Sequence, residues 1–219
     1  MVGGADKEPL SDGKEIEPVI NYGVRLMSMG FMVDEHTPMV WRGTMVQSAL
    51  LQMLRQVRWG TAKAPLDVLV VDMPPGTGDI QLTMVQQVAL AGAIIVSTPQ
   101  DIALIDARKG LEMFKKTNVP ILGVVENMSV FCCPHCGKDT PIFSEGGARA
   151  MAAELGYELL AEVPLDVEIR TNTDAGKPLV LSQPDSKAAA VYRGLAEKVW
   201  AALKAAEARK PGPVKIVIE

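Results

Sequence analysis

All three cysteines of the chain lie in one short stretch, SVFCCPHCGKDTP, which spans residues 129–141. Within it, Cys133 and Cys136 form a C-x-x-C pair followed by Gly137. This spacing is typical of metal-binding knuckles, in which the glycine lets the backbone fold beneath the second sulfur. Tetrahedral zinc and cubane iron–sulfur clusters both require about four such ligands. The simplest complete site therefore takes Cys133 and Cys136 from each of two chains related by a twofold axis.

A cluster held by only two thiolates per subunit would be exposed and removable, which favours transfer over storage. Three other interpretations of the pair stay open: a structural zinc ion shared between subunits, a thioredoxin-like redox pair, and inert thiols. The residues that follow, 137–141, do not resemble the start of the helix that usually carries a redox pair, so that interpretation is disfavoured. Cys132 directly precedes Cys133, so the two side chains tend to diverge, and we interpret Cys132 as a packing residue.

A second candidate site lies in the turn VVDMPPGTGDI, residues 70–80. Asp72 is expected at the carboxyl end of a buried parallel strand, where α/β sheets place their ligands, and the loop leads directly into a helix. A Walker B aspartate, which holds Mg²⁺ or its water, stands in such a position, and glycines let backbone amides approach a phosphate. A rigid turn after a polar strand end is the alternative. The candidate residues are Asp72, Gly76, Thr77, Gly78 and Asp79, the last also as a helix cap.

The phosphate-binding sequence G-x-x-x-x-G-K-[ST] does not occur in these 219 residues. Gly13-Lys14 is followed by Glu15, and Gly176-Lys177 is followed by Pro178, so neither lysine fits the motif. The sequence thus carries half of a nucleotide site, and ATP with Mg²⁺ is expected only if the missing P-loop is supplied.

The elements that would position these residues alternate regularly along the chain. Continuous β-branched apolar runs predict strands buried on both faces, as in parallel sheets, over 66–71, 93–98 and 119–125. Segments with apolar residues at helical spacing, two of them opened by an aspartate, predict helices over 42–59, 79–92, 101–118, 145–156 and 186–208, with a further strand near 158–163.

Crossovers of this length imply right-handed βαβ units. We therefore predict an α/β fold of three layers around a mostly parallel sheet. Residues 1–208 are assigned to one domain that carries the metal loop at 131–141, and residues 209–219 form a tail.

Charge and hydropathy exclude several classes of function. Lys and Arg number 22 against 26 Asp and Glu, which gives a net charge of −4, and no basic block suited to nucleic acid is present. The first twenty residues are polar and acidic, unlike a secretory signal, and no apolar run approaches the length of about eighteen residues that a membrane helix needs. We expect a cytoplasmic protein with reduced thiols and neither a nucleic-acid nor a membrane partner.

In these stretches the chain resembles the Mrp family of iron–sulfur cluster carrier ATPases. These are deviant P-loop NTPases related to MinD and ParA. The matching motifs occur in family order over about residues 20–180. They are PMVWRGTM (38–45), DVLVVDMPPGTGD (67–79), STPQDIALIDARKG (97–110), GVVENMS (123–129), CPHCG (133–137) and VPLDVEIR (163–170).

The resemblance implies a homodimeric cytosolic ATPase that binds a labile [4Fe–4S] cluster and hands it to apo iron–sulfur client proteins. It matches Cys133 and Cys136 to the cluster ligands, and Asp72 with residues 76–79 to the Walker B and switch II region. It also matches Asn127 to the asparagine that reads the adenine ring, and it places the loop containing Pro164 near the base. From the residues alone, Asn127 would be a polar strand end that satisfies a turn.

The chain departs from the family in one large respect. Family members begin with a strand, a K-G-G-V-G-K-[ST] loop and its helix, all upstream of what is Met1 here. We expect the sheet to lack this first, central strand, so that neighbouring strands lose a partner. Whether these residues bind or hydrolyse ATP is left open. Two explanations stay open: a fragment of a complete carrier, and a short form that binds metal and could pair with a full-length partner. The alternative function is a non-catalytic, zinc-bridged dimerisation or partitioning-type module.

Overall fold

The structure, a computed structural model, describes residues 1–4, 7–31, 43–74, 76 and 78–208. The predicted C-terminal tail and the motif residues Pro75 and Thr77 lie outside this part of the chain. The described elements fall into two compact units, Met1–Val88 with Arg170–Ser182, and Ala89–Ile169 with the segment from Gln183 onward. The assignment of residues 1–208 to a single domain therefore stays a prediction.

The first unit is mostly helix and loop. Strands β1 (Val19–Asn21) and β2 (Val24–Leu26) form an antiparallel hairpin, and a 3₁₀ turn follows at Met29–Phe31. Helices α1 (Gly43–Arg55) and α2 (Asp79–Gln87) pack against each other, with a hydrogen bond of 3.0 Å from Gln47 Nε2 to Thr83 Oγ1.

The second unit contains the main sheet. Its elements are β3 (Ala93–Ser97), α3 (Asp101–Lys116), β4 (Ile121–Cys132), β5 (Asp139–Thr140), α4 (Gly147–Leu155), β6 (Leu159–Leu165) and α7 (Lys187–Ala208). Between β6 and α7 the chain forms α5 (Val167–Asp174) and α6 (Leu179–Ser182), of which Arg170–Ser182 belongs to the first unit. β3, β4 and β6 are parallel with β4 in the middle, and the short β5 pairs antiparallel with the end of β4.

Two consecutive residues of β4 show why this sheet has helices on both faces. Val125 belongs to a buried cluster with Leu160 and Val163, against which Val191 and Leu195 of α7 pack. The side chain of the next residue, Glu126, instead bonds the first turn of α4. Successive side chains of a strand point to opposite faces, so α7 lies on one face and α4, with α3 beside it, lies on the other. The predicted three-layer α/β fold is confirmed.

One predicted strand is wrong. Residues 66–71 have no strand assignment, residues 66–70 are exposed, and Val70 has 86 % of its surface accessible. An apolar run becomes a strand only when a neighbouring strand takes its backbone hydrogen bonds, and no described strand pairs with this one.

The outer edge of β3 shows the same lack of a neighbour. On one face of β3, Ala93, Ile95 and Ser97 are buried, while Ile94 and Val96 on the other are exposed by 37 % and 59 %. Parallel strands are normally covered on both faces, and among the described residues only β4 pairs with β3. The described sheet therefore ends at a strand with the composition of an interior strand.

Candidate metal centre

The cysteines lie in a hairpin formed by the end of β4 and the short β5, and we call residues 129–141 the cysteine hairpin. Phe131 pairs with Thr140 and Cys132 with Asp139, so β4 and β5 form its two sides. At the tip, Cys133 N–H donates to the Lys138 carbonyl at 3.1 Å, and Gly137 N–H donates to the Cys133 carbonyl at 2.8 Å. Gly137 has a φ of +67°, which residues with a Cβ rarely adopt. Local backbone bonds thus fix the turn that contains the C-x-x-C pair.

The surroundings of the Cys133 sulfur stabilise a negative charge on it. The backbone N–H groups of Cys136 and then of His135 donate to it, followed by the Cys136 thiol, and together they lower the pKa of Cys133. Donors aimed at a sulfur stabilise the thiolate, which is the form that binds metals. Cys133 is half-buried and Cys136 is exposed, so both sulfurs can be approached from outside the hairpin.

Cys132 has a different environment from its neighbour. Partial burial, and after it a hydrogen bond with the Asp139 carboxylate, raise the pKa of the Cys132 thiol. Its sulfur lies 3.9 Å from the Gly137 carbonyl oxygen, which accepts the weak S–H bond. These contacts favour a neutral thiol, and Cys132 stays a predicted packing residue.

The number of donors limits what one chain can bind. In the part of the chain that the structure describes, no group of three or more His, Cys, Asp or Glu side chains is placed to hold a metal ion. Two thiolates alone leave a tetrahedral ion or an iron–sulfur cluster with about half of its ligands. A complete site therefore needs donors in addition to those that the described residues bring together.

Asn127 and Pro164 lie on neighbouring strands. Asn127 pairs in register with Val163 of β6, and Pro164 is the next residue of that strand. Asn127 is half-buried, and its Oδ1 accepts the N–H of Met128 at 3.0 Å. The structure thus brings together the two residues to which the family resemblance assigns base recognition, and that role stays a prediction.

The turn after residue 71 belongs to the first unit. Asp72 is exposed and lies outside any helix or strand, and Gly76 has a φ of +100°. Gln81 of α2, which is buried, donates from Nε2 to the Pro74 carbonyl at 2.9 Å and so fastens the turn to the helix. α2 begins at Asp79 with Gly78 as its N-cap residue. The roles of Asp72, Gly76, Thr77, Gly78 and Asp79 in nucleotide binding stay predictions.

Sequence reasoning missed two features around the start of α4. Glu126 is an acid in the middle of an apolar strand, only 1 % exposed, and this single charge within the run VVEN was its signal. A Cβ on Gly147 would lie 2.5 Å from the Pro99 carbonyl oxygen and 2.8 Å from Leu104 Cδ1, so only glycine fits there. The pair Gly146-Gly147 ahead of a helix could have indicated this close approach.

None of the described helices combines the length and the apolar character needed to cross a membrane.

Comparison with known proteins identifies relatives over most of the chain. The model of the ParA family described as NUBPL iron-transfer P-loop NTPase matches residues 1–200. The iron–sulfur cluster transfer protein NUBPL of Mus musculus is 54 % identical over 195 residues, which are 89 % of this chain and 60 % of that protein. The iron–sulfur cluster carrier protein of Pseudomonas fragi is 53 % identical over 85 % of this chain and 64 % of its own length. The chain therefore spans less than two thirds of these relatives.

A solved structure agrees with the sequence relatives. A nucleotide-binding protein from Archaeoglobus fulgidus, in complex with ADP and with cobalt found in it, superposes with a TM-score of 0.66 at 31 % identity. The match covers 83 % of this chain and 68 % of that one. The resemblance inferred from the motifs is thereby confirmed, and the chain belongs to the ParA family of NUBPL-type iron-transfer P-loop NTPases.

Proposed function

We propose that this protein is an iron–sulfur cluster carrier of the cytoplasm. Two copies hold one labile [4Fe–4S] cluster as cargo between them, each through Cys133 and Cys136, and pass it to apo-proteins. The observation that carries the proposal is the C-x-x-C turn, in which backbone N–H groups point at one sulfur while the chain offers two thiol donors. The relatives' names, which refer to cluster carriage and transfer, support it.

Transfer from such a site is a ligand exchange. A thiolate of the client binds an iron of the cluster as a carrier thiolate leaves, and the released sulfur takes up a proton, so no electron is transferred. The exposure of Cys136 supports this step, because an incoming thiolate can approach it directly.

The nucleotide half of the function depends on parts outside these residues. Asp72 is proposed as the Walker B carboxylate in the switch II region, with Gly76, Thr77, Gly78 and Asp79 as its loop, and Asn127 and Pro164 as the contacts to the base. ATP with Mg²⁺ would bind only when a P-loop completes the site. Hydrolysis, which the family couples to cluster handling, is then expected from the completed protein.

The first experiment is anaerobic reconstitution of the chain with iron and sulfide, followed by metal analysis and measurement of the oligomeric mass. About two irons and two sulfides per chain in a dimer, with broad absorption near about 400 nm, support a shared four-iron cluster. Cys133→Ala and Cys136→Ala should each abolish the cluster, while Cys132→Ala is the matched control and should largely retain it. Equal loss in all three variants would contradict the ligand assignment.

Zinc is the alternative metal, because four thiolates in a tetrahedral arrangement are also a structural zinc site. A colourless dimer that contains one zinc for every two chains, and that takes up no iron under the same conditions, would replace the carrier proposal with a dimerisation module.

A further inference from the structure

Glu126 and Glu162 form what we call the acidic pair. They are register partners on the parallel strands β4 and β6, so their side chains leave the same face of the sheet side by side. Glu126 is 1 % exposed, whereas the Glu162 side chain is 32 % exposed. Two like charges on directly neighbouring strands repel each other, and a buried carboxylate is costly unless it is paired.

The first turn of α4 offsets both charges. Ala148 N–H, one of the helix's free N-terminal donors, donates to Glu126 Oε2 at 2.8 Å. The adjacent residue, Arg149, donates from Nε to Glu162 Oε1 at 3.1 Å and from Nη2 to Glu162 Oε2. Glu162, and after it Glu126, contribute to the raised pKa of Arg149. Two consecutive residues of α4 therefore fasten two adjacent strands.

The hydrogen bond between Glu126 and α4 lies next to an irregular part of β4. Glu126 immediately precedes Asn127, and Met128 then has a φ of +57°, a left-handed conformation that is unfavourable for a residue with a Cβ. The register between β4 and β6 shifts between Asn127 and Phe131. Within this irregular segment, Ser129 Oγ donates to the Val163 carbonyl at 3.2 Å, and after it Phe131 pairs with Leu165 of β6. The acidic pair thus lies directly before the irregular segment through which β4 continues into the cysteine hairpin.

We propose that Glu126 is a positioning residue for the cysteine hairpin. Its bond to α4 fixes the direction in which β4 enters its irregular segment, and so fixes where Cys133 and Cys136 point relative to the rest of the unit. The internal geometry of the hairpin does not depend on it, since the tip is closed by its own backbone bonds. Two copies can share four thiolates only if both hairpins point correctly, so Glu126 acts on the shared site and not on either thiol alone. The inference rests on the proposed carrier function for this last step.

The test compares three variants of the full chain. Glu126→Ala removes the carboxylate, Glu126→Gln keeps an oxygen that can accept the Ala148 N–H, and Glu154→Gln is the matched control. Glu154 also ties α4 to a neighbour, through Arg108 Nη1 of α3 at 3.1 Å, but it lies at the other end of α4. Each variant is first examined for amide hydrogen exchange without metal, then for thiol alkylation, and last for iron and mass after reconstitution.

For Glu126→Ala we expect exchange in residues 127–132 to accelerate roughly tenfold or more, because a hydrogen bond to a buried charged group is lost. The alkylation rate of Cys133 should stay within about twofold of the unsubstituted protein, since the local donors to its sulfur remain. Iron per chain in the dimer should fall by more than about half. Glu126→Gln should recover most of the iron content, and Glu154→Gln should leave all three measurements unchanged.

Two results would overturn the inference. One is unchanged exchange in residues 127–132 of Glu126→Ala. The other is iron loss that Glu154→Gln reproduces, or that is accompanied by an equal loss of Cys133 reactivity. If the unsubstituted protein takes up no iron, the carrier proposal fails, and the exchange and alkylation measurements still decide whether Glu126 positions the hairpin.

Discussion

Gly137 N–H and the Cys133 carbonyl oxygen are 2.8 Å apart, and this hydrogen bond closes the turn that brings Cys133 and Cys136 together. The bond requires the left-handed backbone of Gly137, although the space around its absent Cβ is empty within 4 Å. The constraint on this position is therefore conformational and not steric.

The effect of a Gly137 substitution on iron binding should consequently depend on the backbone preference of the new residue and not on its size. Gly137→Asn should bind iron nearly as well as the unsubstituted protein, because asparagine tolerates the left-handed region. Gly137→Val introduces a β-branched side chain, which disfavours the left-handed conformation. This variant should lose most of the iron, since the turn becomes strained by about 1–2 kcal/mol or more. Iron per chain after reconstitution measures both. Equal retention by the two variants would show that the turn does not need this conformation.

The two adjacent thiols should differ in reactivity towards an alkylating reagent. The pKa of Cys133 is lowered by donors to its sulfur and that of Cys132 is raised by burial, so at neutral pH Cys133 has the larger thiolate fraction. As the pH rises from about 6 to about 9, modification of Cys133 should therefore reach its plateau first. Fragment mass spectrometry of metal-free protein locates the modified residue. Faster modification of Cys132 at neutral pH would contradict the assigned environments.

The close approach at Gly147 predicts a clear loss of stability. Gly147→Ala places a methyl group 2.5 Å from the Pro99 carbonyl oxygen, so α4 must shift, and we expect a loss of about 1–3 kcal/mol in the free energy of unfolding. Gly110→Ala, inside α3 with nothing within 4 Å of the new Cβ, is the control. It should raise stability by about 0.5–1 kcal/mol. Urea unfolding of both variants measures the difference, and a neutral Gly147→Ala would show that α4 can move without cost.

The uncovered face of β3 predicts association between molecules. Val96 is 59 % exposed on a strand whose outer edge has no described partner, and such edges invite pairing with other chains. Val96→Lys should reduce concentration-dependent association in sedimentation experiments with little effect on unfolding. Ile95→Lys, at a residue only 6 % exposed, is the contrasting variant and should unfold the unit. Association that Val96→Lys leaves unchanged would place the contact elsewhere.

The sequence predicted those elements of the fold whose sequence pattern lies within the element itself. The run at 93–98 became β3, and the helix over 101–118 became α3, because a β-branched run and an amphipathic period are both properties of the segment itself. The run at 66–71 is mostly apolar and partly β-branched like β3, yet it forms no strand, because a strand also needs a neighbour that composition does not reveal.

The candidate site was predicted in part for the same reason. The C-x-x-C-G spacing is local, and the turn that it predicts at Cys133 and Cys136 is present. The extension of β4 from the expected end at residue 125 to Cys132 was not predicted, since it depends on β5 and β6 as partners and on the left-handed Met128. Glu126 was missed because its meaning comes from α4, which is more than twenty residues further along the chain.

β4 runs continuously from the sheet into the cysteine hairpin, so a change in the direction of the strand also moves the hairpin. The six residues from Met128 to Cys133 are separated by five steps, which span about 17 Å at the rise of a strand. A rotation of about 10° at Met128 would therefore displace the Cys133 sulfur by about 3 Å. The distance between the thiols of two proposed partner copies would thus depend on one backbone angle at the start of the hairpin, while the bonds at its tip stay closed.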